Sequence, residues 1–358
     1  MGALAGCRSV EAVPARAAPP ADESRPVIGL EAALGELREL RAVLESTPAS
    51  PVITRGSDHL EQTEWPFFAL LFFADAATRF ASLPRLAPRR RDALVLEARW
   101  ALDRAHALGI PGANAALPNG HLLLALERFA RVEHEPAHRE LRDRLADALE
   151  EAFARSPSGI VPSYPSMWWT LDAVPALAAL RMRGAGDAPR ARWEATVRAS
   201  ALDPVTGLVI AGFHPGRGQA MGPPRGCALM LALPDLFVLS EDLARQQWAL
   251  ARTHLVRSVG GLTGVREYPE AVDLPPSTDS GRILLGLGEA ASGFALAASA
   301  AAGDLELLAV LLRSARRVAP PTWRGDRLSL ANVPPVGQAA LLRAKVWNAS
   351  AAAVAGAA

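Results

Sequence analysis

From about Val27 to the C-terminus, apolar and polar positions recur at helical spacing, punctuated by Pro, Gly and Asp-Pro turns. The periodicity predicts helices over 29–46, 60–82, 90–108, 119–132, 137–155, 169–183, 188–202, 225–236, 240–258, 280–301, 304–317 and 335–354. These dozen segments pair naturally as hairpins. Leu122 to Leu126, Ala173 to Leu180 and Ala290 to Ala302 are almost wholly apolar or alanine-rich, so they are buried on more than one side. Period-2 alternation is scarce, and only Leu208-Val209-Ile210 and Val265 suggest short strands.

No repeat of fixed length with matching positions is visible, which argues against a solenoid. The remaining common way to bury so many helices is an all-α fold, an (α/α)6 toroid of two concentric rings. In such a barrel the inner helices are apolar, and irregular loops between hairpins build a funnel at one end. The expected organisation is a tether over residues 1–26 and a single α/α-barrel domain over 27–358.

Composition narrows the partners. In 358 residues, half of them apolar, 38 Lys+Arg balance 37 Asp+Glu, so no bulk field steers the chain to nucleic acid or an anionic membrane. Cys7 and Cys227 are too few for a disulfide framework, and no spacing suggests zinc, so neither metal nor cofactor is expected. No apolar run reaches the roughly 18 residues of a membrane span. Leu4-Ala5-Gly6-Cys7 has the form of a lipobox ahead of a Pro/Ala-rich stretch. It predicts a periplasmic or lipid-anchored protein of the cell envelope if a signal peptide has been trimmed, and a cytoplasmic one otherwise.

Two stretches carry the candidate chemistry: Ser158 to Asp172, and Gly264 to Pro269 followed by Thr278-Asp279-Ser280-Gly281. Each joins a Pro/Ser/Gly-rich loop to an apolar helix and sets carboxylates beside aromatics, and both tyrosines of the chain, Tyr164 and Tyr268, lie in them. With a helix starting near Met167, Trp168 and Asp172 share one face at i and i+4. A carboxylate on an apolar helix is costly unless paired or used, so Asp172 is either catalytic or an anchor to a neighbouring loop. Asp279 reads as a catalytic group or as an N-cap. Glu267 sits between Arg266 and Tyr268, and an arginine that keeps one carboxylate ionised while apolar walls raise another produces an acid and a base. His121 and His214 are candidate proton carriers or structural histidines. Arg225 either clamps a ligand or pairs with a site carboxylate. Trp65 follows a polar cluster of Asp58, His59, Glu61 and Glu64 that also reads as a capping arrangement.

The order of Gly120-His121-Leu122, Ser158-Gly159-Ile160-Val161, Asp203-Pro204, Phe213-His214-Pro215, Arg266-Glu267 and Asp279-Ser280-Gly281 resembles the linalool dehydratase/isomerase family, from about Ala116 to Asp304. The resemblance implies an α/α barrel and a cofactor-free removal of water from a tertiary allylic alcohol. It further implies that His121, Glu267 and Asp279 border one cavity, and that a neighbouring subunit completes it, which would make the protein a homo-oligomer. The family's two cysteines would fall near Pro162 and Leu171, and a cavity tyrosine is replaced by Cys227, so a substrate other than linalool is implied.

The expected function is therefore a hydro-lyase or isomerase acting on a small hydroxylated, terpenoid-like molecule. Asp172, Glu267, Asp279 and His121 would be its acid–base groups. Tyr164, Trp168, Trp65, Arg225, Arg266, Tyr268 and His214 would be its substrate contacts. Two alternatives stand beside it. One is a glycoside hydrolase with Asp172 and either Glu267 or Asp279 as acid and base. The other is a non-catalytic cell-envelope binding module.

Overall fold

A computed structural model describes residues 30–46, 60–84, 86–108, 115–134, 136–164 and 167–355. The 1–26 tether with its lipobox, and Asp58 and His59, lie outside the described residues.

Among the described residues twelve helices follow in order: α1 Leu30–Ser46, α2 Leu60–Ala81, α3 Pro88–Ala107, α4 Ala116–Phe129, α5 Pro136–Ala154, α6 Ala173–Met182, α7 Asp187–Ser200, α8 Gly226–Leu239, α9 Glu241–His254, α10 Glu289–Ala302, α11 Leu305–Val318 and α12 Pro335–Ala355. Four antiparallel two-stranded hairpins lie among them: β1 Ile210–His214 with β2 Gln219–Pro224, β3 Val256–Val259 with β4 Leu262–Val265, β5 Ile283–Leu284 with β6 Leu287–Gly288, and β7 Pro321–Arg324 with β8 Arg327–Leu330.

The even-numbered helices close a ring in which α2 packs on α4, α4 on α6, α6 on α8, α8 on α10, α10 on α12, and α12 back on α2. Odd-numbered helices pack outside it, which is the expected (α/α)6 toroid. Composition explains the sorting. Residues 173–180 of α6 are all buried, whereas α7 buries only Trp193 and Val197. Close helix approach depends on small residues: a Cβ on Gly120 of α4 would stand 2.7 Å from the Ala176 amide nitrogen of α6. The core is one connected cluster running from Ala33 to Val346.

Alternation of direction puts all inner-helix N-termini at one end, here the mouth, and their C-termini at the other, the floor. Inner-to-outer connections at the floor are short (183–186, 240, 303–304), while the outer-to-inner connections at the mouth carry all four hairpins. Both stretches singled out from sequence are mouth connections.

Two helix starts differ from expectation by more than three residues. Helix α6 begins at Ala173 rather than 169, because the preceding backbone is committed to β1: Thr170 N–H donates to Ala211 O at 2.7 Å, and Phe213 N–H donates to Trp168 O at 3.0 Å. Trp168 and Asp172 therefore do not share a helical face. Helix α10 begins at Glu289 rather than 280, because residues 283–288 fold into the β5–β6 hairpin. Asp279 lies inside a short 3-10 turn, Thr278–Ser280, whose cap is Ser277, so the N-cap expectation for Asp279 is corrected. Most of the strand pairing also went unforeseen, since strands of two to six residues are too short for a period to show.

Candidate active site

At the mouth, Glu64 projects from the first turns of α2, just before Pro66. It accepts a hydrogen bond from the Tyr164 hydroxyl, and burial raises its pKa from 4.5 to about 7, with Asp279 and Asp172 pushing in the same direction. Asp172 precedes α6, makes no capping bond, and is hydrogen-bonded by the Ser163 side chain. Burial, and then Asp279, raises its pKa from 3.8 to about 7. Tyr164 is driven well above 10 by burial and by Glu64. Glu64 of α2 and the loop residues Asp172 and Asp279 thus come from three separate parts of the chain, yet sit close enough for Asp279 to disfavour charge on both of the others.

Arg225, just ahead of α8, organises the opposite wall. Its Nε donates to Glu267 Oε1 at 2.9 Å, its Nη1 to Asp279 Oδ2 at 3.2 Å, and its Nη2 to the Ser277 hydroxyl and, at 3.4 Å, to Cys227 Sγ. Its guanidinium lies 5.7 Å from the Trp169 ring centroid. Glu267 is fully enclosed: beyond Arg225, it accepts the Cys227 backbone N–H at 3.1 Å and the thiol at 3.0 Å. Burial and Glu267 hold the Cys227 thiol well above its ordinary pKa, so it stays protonated. Gly226 is required here, since a Cβ would collide with the Arg266 carbonyl as Gly226 N–H donates to Glu267 O at 2.7 Å. By contrast the Asp279 side chain is 48% exposed, so Arg225 holds one carboxylate as an internal brace and offers another to the mouth.

The remaining sequence candidates fall in different places. Trp168 and Trp169 lie partly exposed on the strand-like segment against β1, and Trp65 is partly exposed beside Glu64. Arg266 turns to Glu270 at 3.5 Å, and Tyr268 is partly exposed with its hydroxyl toward Pro275 O at 3.5 Å. His214 ends β1, paired in register with Gln219. The charges that bear on His121 are those of Asp235, Arg343, Arg128 and Asp75. The histidine lies inside the ring, edge-on to Phe68 at 5.3 Å and to Phe72 at 6.3 Å, and burial lowers its pKa to about 4, leaving a neutral imidazole. Sequence reasoning placed Glu64 in a capping cluster and missed its part in the site. The available signal was a carboxylate beside tryptophan and proline at the head of an apolar helix.

A second charge cluster occupies the floor. Asp75 accepts from Arg343 Nε at 2.7 Å and Arg79 Nε at 3.0 Å, with Arg128 Nη1 at 3.3 Å. Asp235 receives Arg128 Nη2 at 2.6 Å and Arg343 Nη2 at 3.4 Å, and Arg79 stacks 3.7 Å above Trp347. The arginines hold both carboxylates below the ordinary range against their burial. Among the described residues no group of three or more His, Cys, Asp or Glu is placed to hold a metal ion, and no helix is long and apolar enough to cross a membrane.

No protein-family model matches the chain, and no curated protein matches it in sequence. Solved structures do match its fold. A variant of the α-1,6-mannanase GH76A of Salegentibacter sp. HEL1_6, in complex with α-1,6-mannotriose, superposes with TM-score 0.59 at 10% identity, covering 89% of this chain and 98% of that one. An unsaturated glucuronyl hydrolase specific for heparin gives 0.57 at 10% identity, covering 90% and 97%. The GH76 α-mannanase of Bacteroides thetaiotaomicron gives 0.52 at 9%, covering 92% and 99%. These neighbours overturn the linalool dehydratase/isomerase assignment and, with it, the hydro-lyase reading. Within the barrel, Glu267 is engaged by Arg225 and the head of α8, and His121 lies edge-on to phenylalanine rings.

Proposed function

We propose that the chain is an enzyme, a glycoside hydrolase acting on a small saccharide at the mouth of its toroid. The observation that carries this reading is the division of labour among three mouth carboxyls. Glu64 and Asp172, with pKa values near 7, keep a proton available at neutral pH, while Asp279 stands partly exposed as the ion-pair partner of Arg225.

Asp172 is the general acid, since only a serine hydroxyl holds it, whereas Glu64 is engaged by Tyr164. Asp172 gives its proton to the glycosidic oxygen as the bond to the anomeric carbon breaks. Asp279 takes a proton from the water whose oxygen attacks that carbon, and Arg225 holds Asp279 in place. The proton that Asp279 gains passes through water back to Asp172, which restores both carboxyls for the next turnover. Partly exposed Trp65, Trp168 and Trp169 supply flat apolar faces for sugar rings. The Salegentibacter structure is an inactive variant with two consecutive aspartates replaced. This chain has no two consecutive aspartates, so its acid and base come from different loops.

The test is hydrolysis of α-1,6-mannotriose and of an unsaturated glucuronyl heparin disaccharide, within a wider panel of neutral disaccharides, by the wild-type chain and by Asp172→Asn. Cleavage by wild type that the variant loses is the expected result. Failure to cleave any glycoside, or full activity in the variant, overturns the reading, and saccharide binding without cleavage would leave a binding module.

A further inference from the structure

Glu64 is the mouth carboxyl that neither protonates the leaving oxygen nor activates water. It projects from the first turns of α2, beside the partly exposed Trp65, and its hydrogen-bond partner is the Tyr164 hydroxyl. The charges that bear on it are those of Asp279 and Asp172, both negative, and no arginine is among them. Such a carboxyl is disfavoured twice, by lost hydration and by repulsion, and groups of this kind concentrate where a ligand completes them.

The arginines around it are committed elsewhere. Arg225 divides its guanidinium between Glu267 at 2.9 Å and Asp279 at 3.2 Å. Arg257 and Arg266 turn to Glu270 at 2.8 and 3.5 Å, and Arg282 to Glu289 at 3.1 Å. The floor differs, since Asp75 and Asp235 each pair with Arg128 and Arg343. A bare metal ion does not fit as the missing cation at the mouth. Although Asp279 and Asp172 both bear on Glu64, no three acidic or imidazole groups among the described residues are placed to share an ion. What fits is a positive group carried on a larger scaffold that spans the separate carboxyls. The adjoining wall is aromatic: Trp169 N–H donates at 3.1 Å to Ser163 Oγ, the hydroxyl that also bonds Asp172, and the Trp169 ring already attracts the Arg225 cation at 5.7 Å.

We infer that the substrate is an amino sugar glycoside, a hexosaminide whose free ammonium group pairs with the Glu64 carboxylate while its glycosidic oxygen lies at Asp172. This rests on the glycoside hydrolase reading and adds the charge of the sugar. Tyr164 holds Glu64 from one side, and the ammonium brings it charge-assisted donors from the other. On binding, Glu64 gives up its proton to solvent and the ion pair takes its place. That pair has no net charge, so Asp172 keeps its proton for the glycosidic oxygen. A uronide carboxylate at the same point would meet like charge.

Methyl glycosides of glucosamine, galactosamine and mannosamine test it, each beside its hydroxyl and N-acetyl counterparts, with methyl glucuronide as the anionic member. Dissociation constants are measured by calorimetry on Asp172→Asn at about pH 6, where Glu64, with its pKa near 7, is mostly protonated. Turnover is measured on wild type with the corresponding nitrophenyl glycosides. The accepted amino sugar should bind about tenfold or more tighter than its hydroxyl counterpart, the N-acetyl form should lose that margin, and the glucuronide should bind weakest. Amino sugar binding should release about one proton, read from the heats in buffers of different ionisation enthalpy, and hydroxyl sugar binding none. Glu64→Gln in the same background should bring the amino-to-hydroxyl ratio to within about twofold and abolish the proton release without lowering Tm, since a desolvated carboxyl is removed. Equal affinity for amino and hydroxyl sugars overturns the inference, as does an amino preference that Glu64→Gln leaves intact. Amino-selective binding that depends on Glu64, with no cleavage of any glycoside by wild type, would instead overturn the hydrolase reading and leave the ammonium seat standing. Failure of every saccharide to bind overturns both.

Discussion

The two ends of this barrel bury carboxylates under opposite conditions. At the floor, Asp75 pairs with Arg79, Arg128 and Arg343 and Asp235 with the last two, with aromatic rings of Trp347 and Phe72 against the guanidinium groups. At the mouth, Glu64 and Asp172 have only hydroxyl partners, and the nearest cation, Arg225, is already divided between Glu267 and Asp279. Burial raises the pKa of a carboxyl in either place, but three arginines reverse the shift at one end and nothing reverses it at the other. About 16 Å of α2 separates Glu64 from Asp75, eleven residues at 1.5 Å each, so a single helix carries both regimes. Charge pairing keeps the floor carboxylates ionised, while Glu64 and Asp172, which no arginine pairs, hold their protons up to about pH 7.

The largest expected effect separates the ends by activity. Asp172→Asn should reduce kcat/KM on the identified glycoside by about a hundredfold to ten-thousandfold while leaving the unfolding midpoint unchanged or higher, since a desolvated carboxyl is removed. Retained activity would break the contrast at its chemical end. Next in size, Arg343→Met should destabilise the fold by about 3–5 kcal/mol in urea titrations, because Asp75 and Asp235 stay buried with one cation fewer. The remaining folded fraction should keep its specific activity, and a loss of activity in proportion to no change in stability would mean that the floor takes part in chemistry.

Stability against pH should bend in opposite directions for the two ends. Glu64 and Asp172 bind protons more tightly folded than unfolded, so between their ordinary values of 4.5 and 3.8 and about 7 stability falls as pH rises. Asp75 and Asp235 are lowered, so their contribution is complete above the ordinary value and is lost as pH falls through the folded one. Thermal melts across this range should therefore show greatest stability between pH 4 and 5, roughly where neither end is strained. Asp172→Asn should flatten the neutral side and Asp235→Asn the acid side. The smallest effect concerns Tyr164→Phe. Losing the hydroxyl that lowers Glu64 should raise the Glu64 pKa by a fraction of a unit, read from its carboxyl carbon shift against pH by NMR, and a downward move would contradict the assigned hydrogen bond.

Sequence reading reached the toroid because burial pattern and helix count are local properties summed along the chain. Helices such as α1, α5 and α12 lie within a residue of their expected bounds. It set α6 and α10 too early for one reason: residues 169–172 and 280–288 look helical in isolation, yet their backbone groups are claimed by β1 and by the β5–β6 hairpin. The linalool dehydratase/isomerase resemblance lay in short polar motifs, and the folds that match most of the chain are those of glycoside hydrolases. Of the carboxylates singled out, Asp172 and Asp279 lie at the mouth with Glu64, while Glu267 is enclosed by Arg225 and the head of α8.

Taken alone, the chain specified twelve helices, which of them are apolar enough to form an inner ring, and the two loops where carboxylates meet aromatics, since each depends on residues within a few turns of one another. Tertiary structure decided which carboxylates are free. Arg225 reaches forty-two residues to Glu267 and fifty-four to Asp279, and Arg343 reaches 268 to Asp75. A pKa follows from such long-range pairing and from the water that packing excludes, and neither is written in the local pattern.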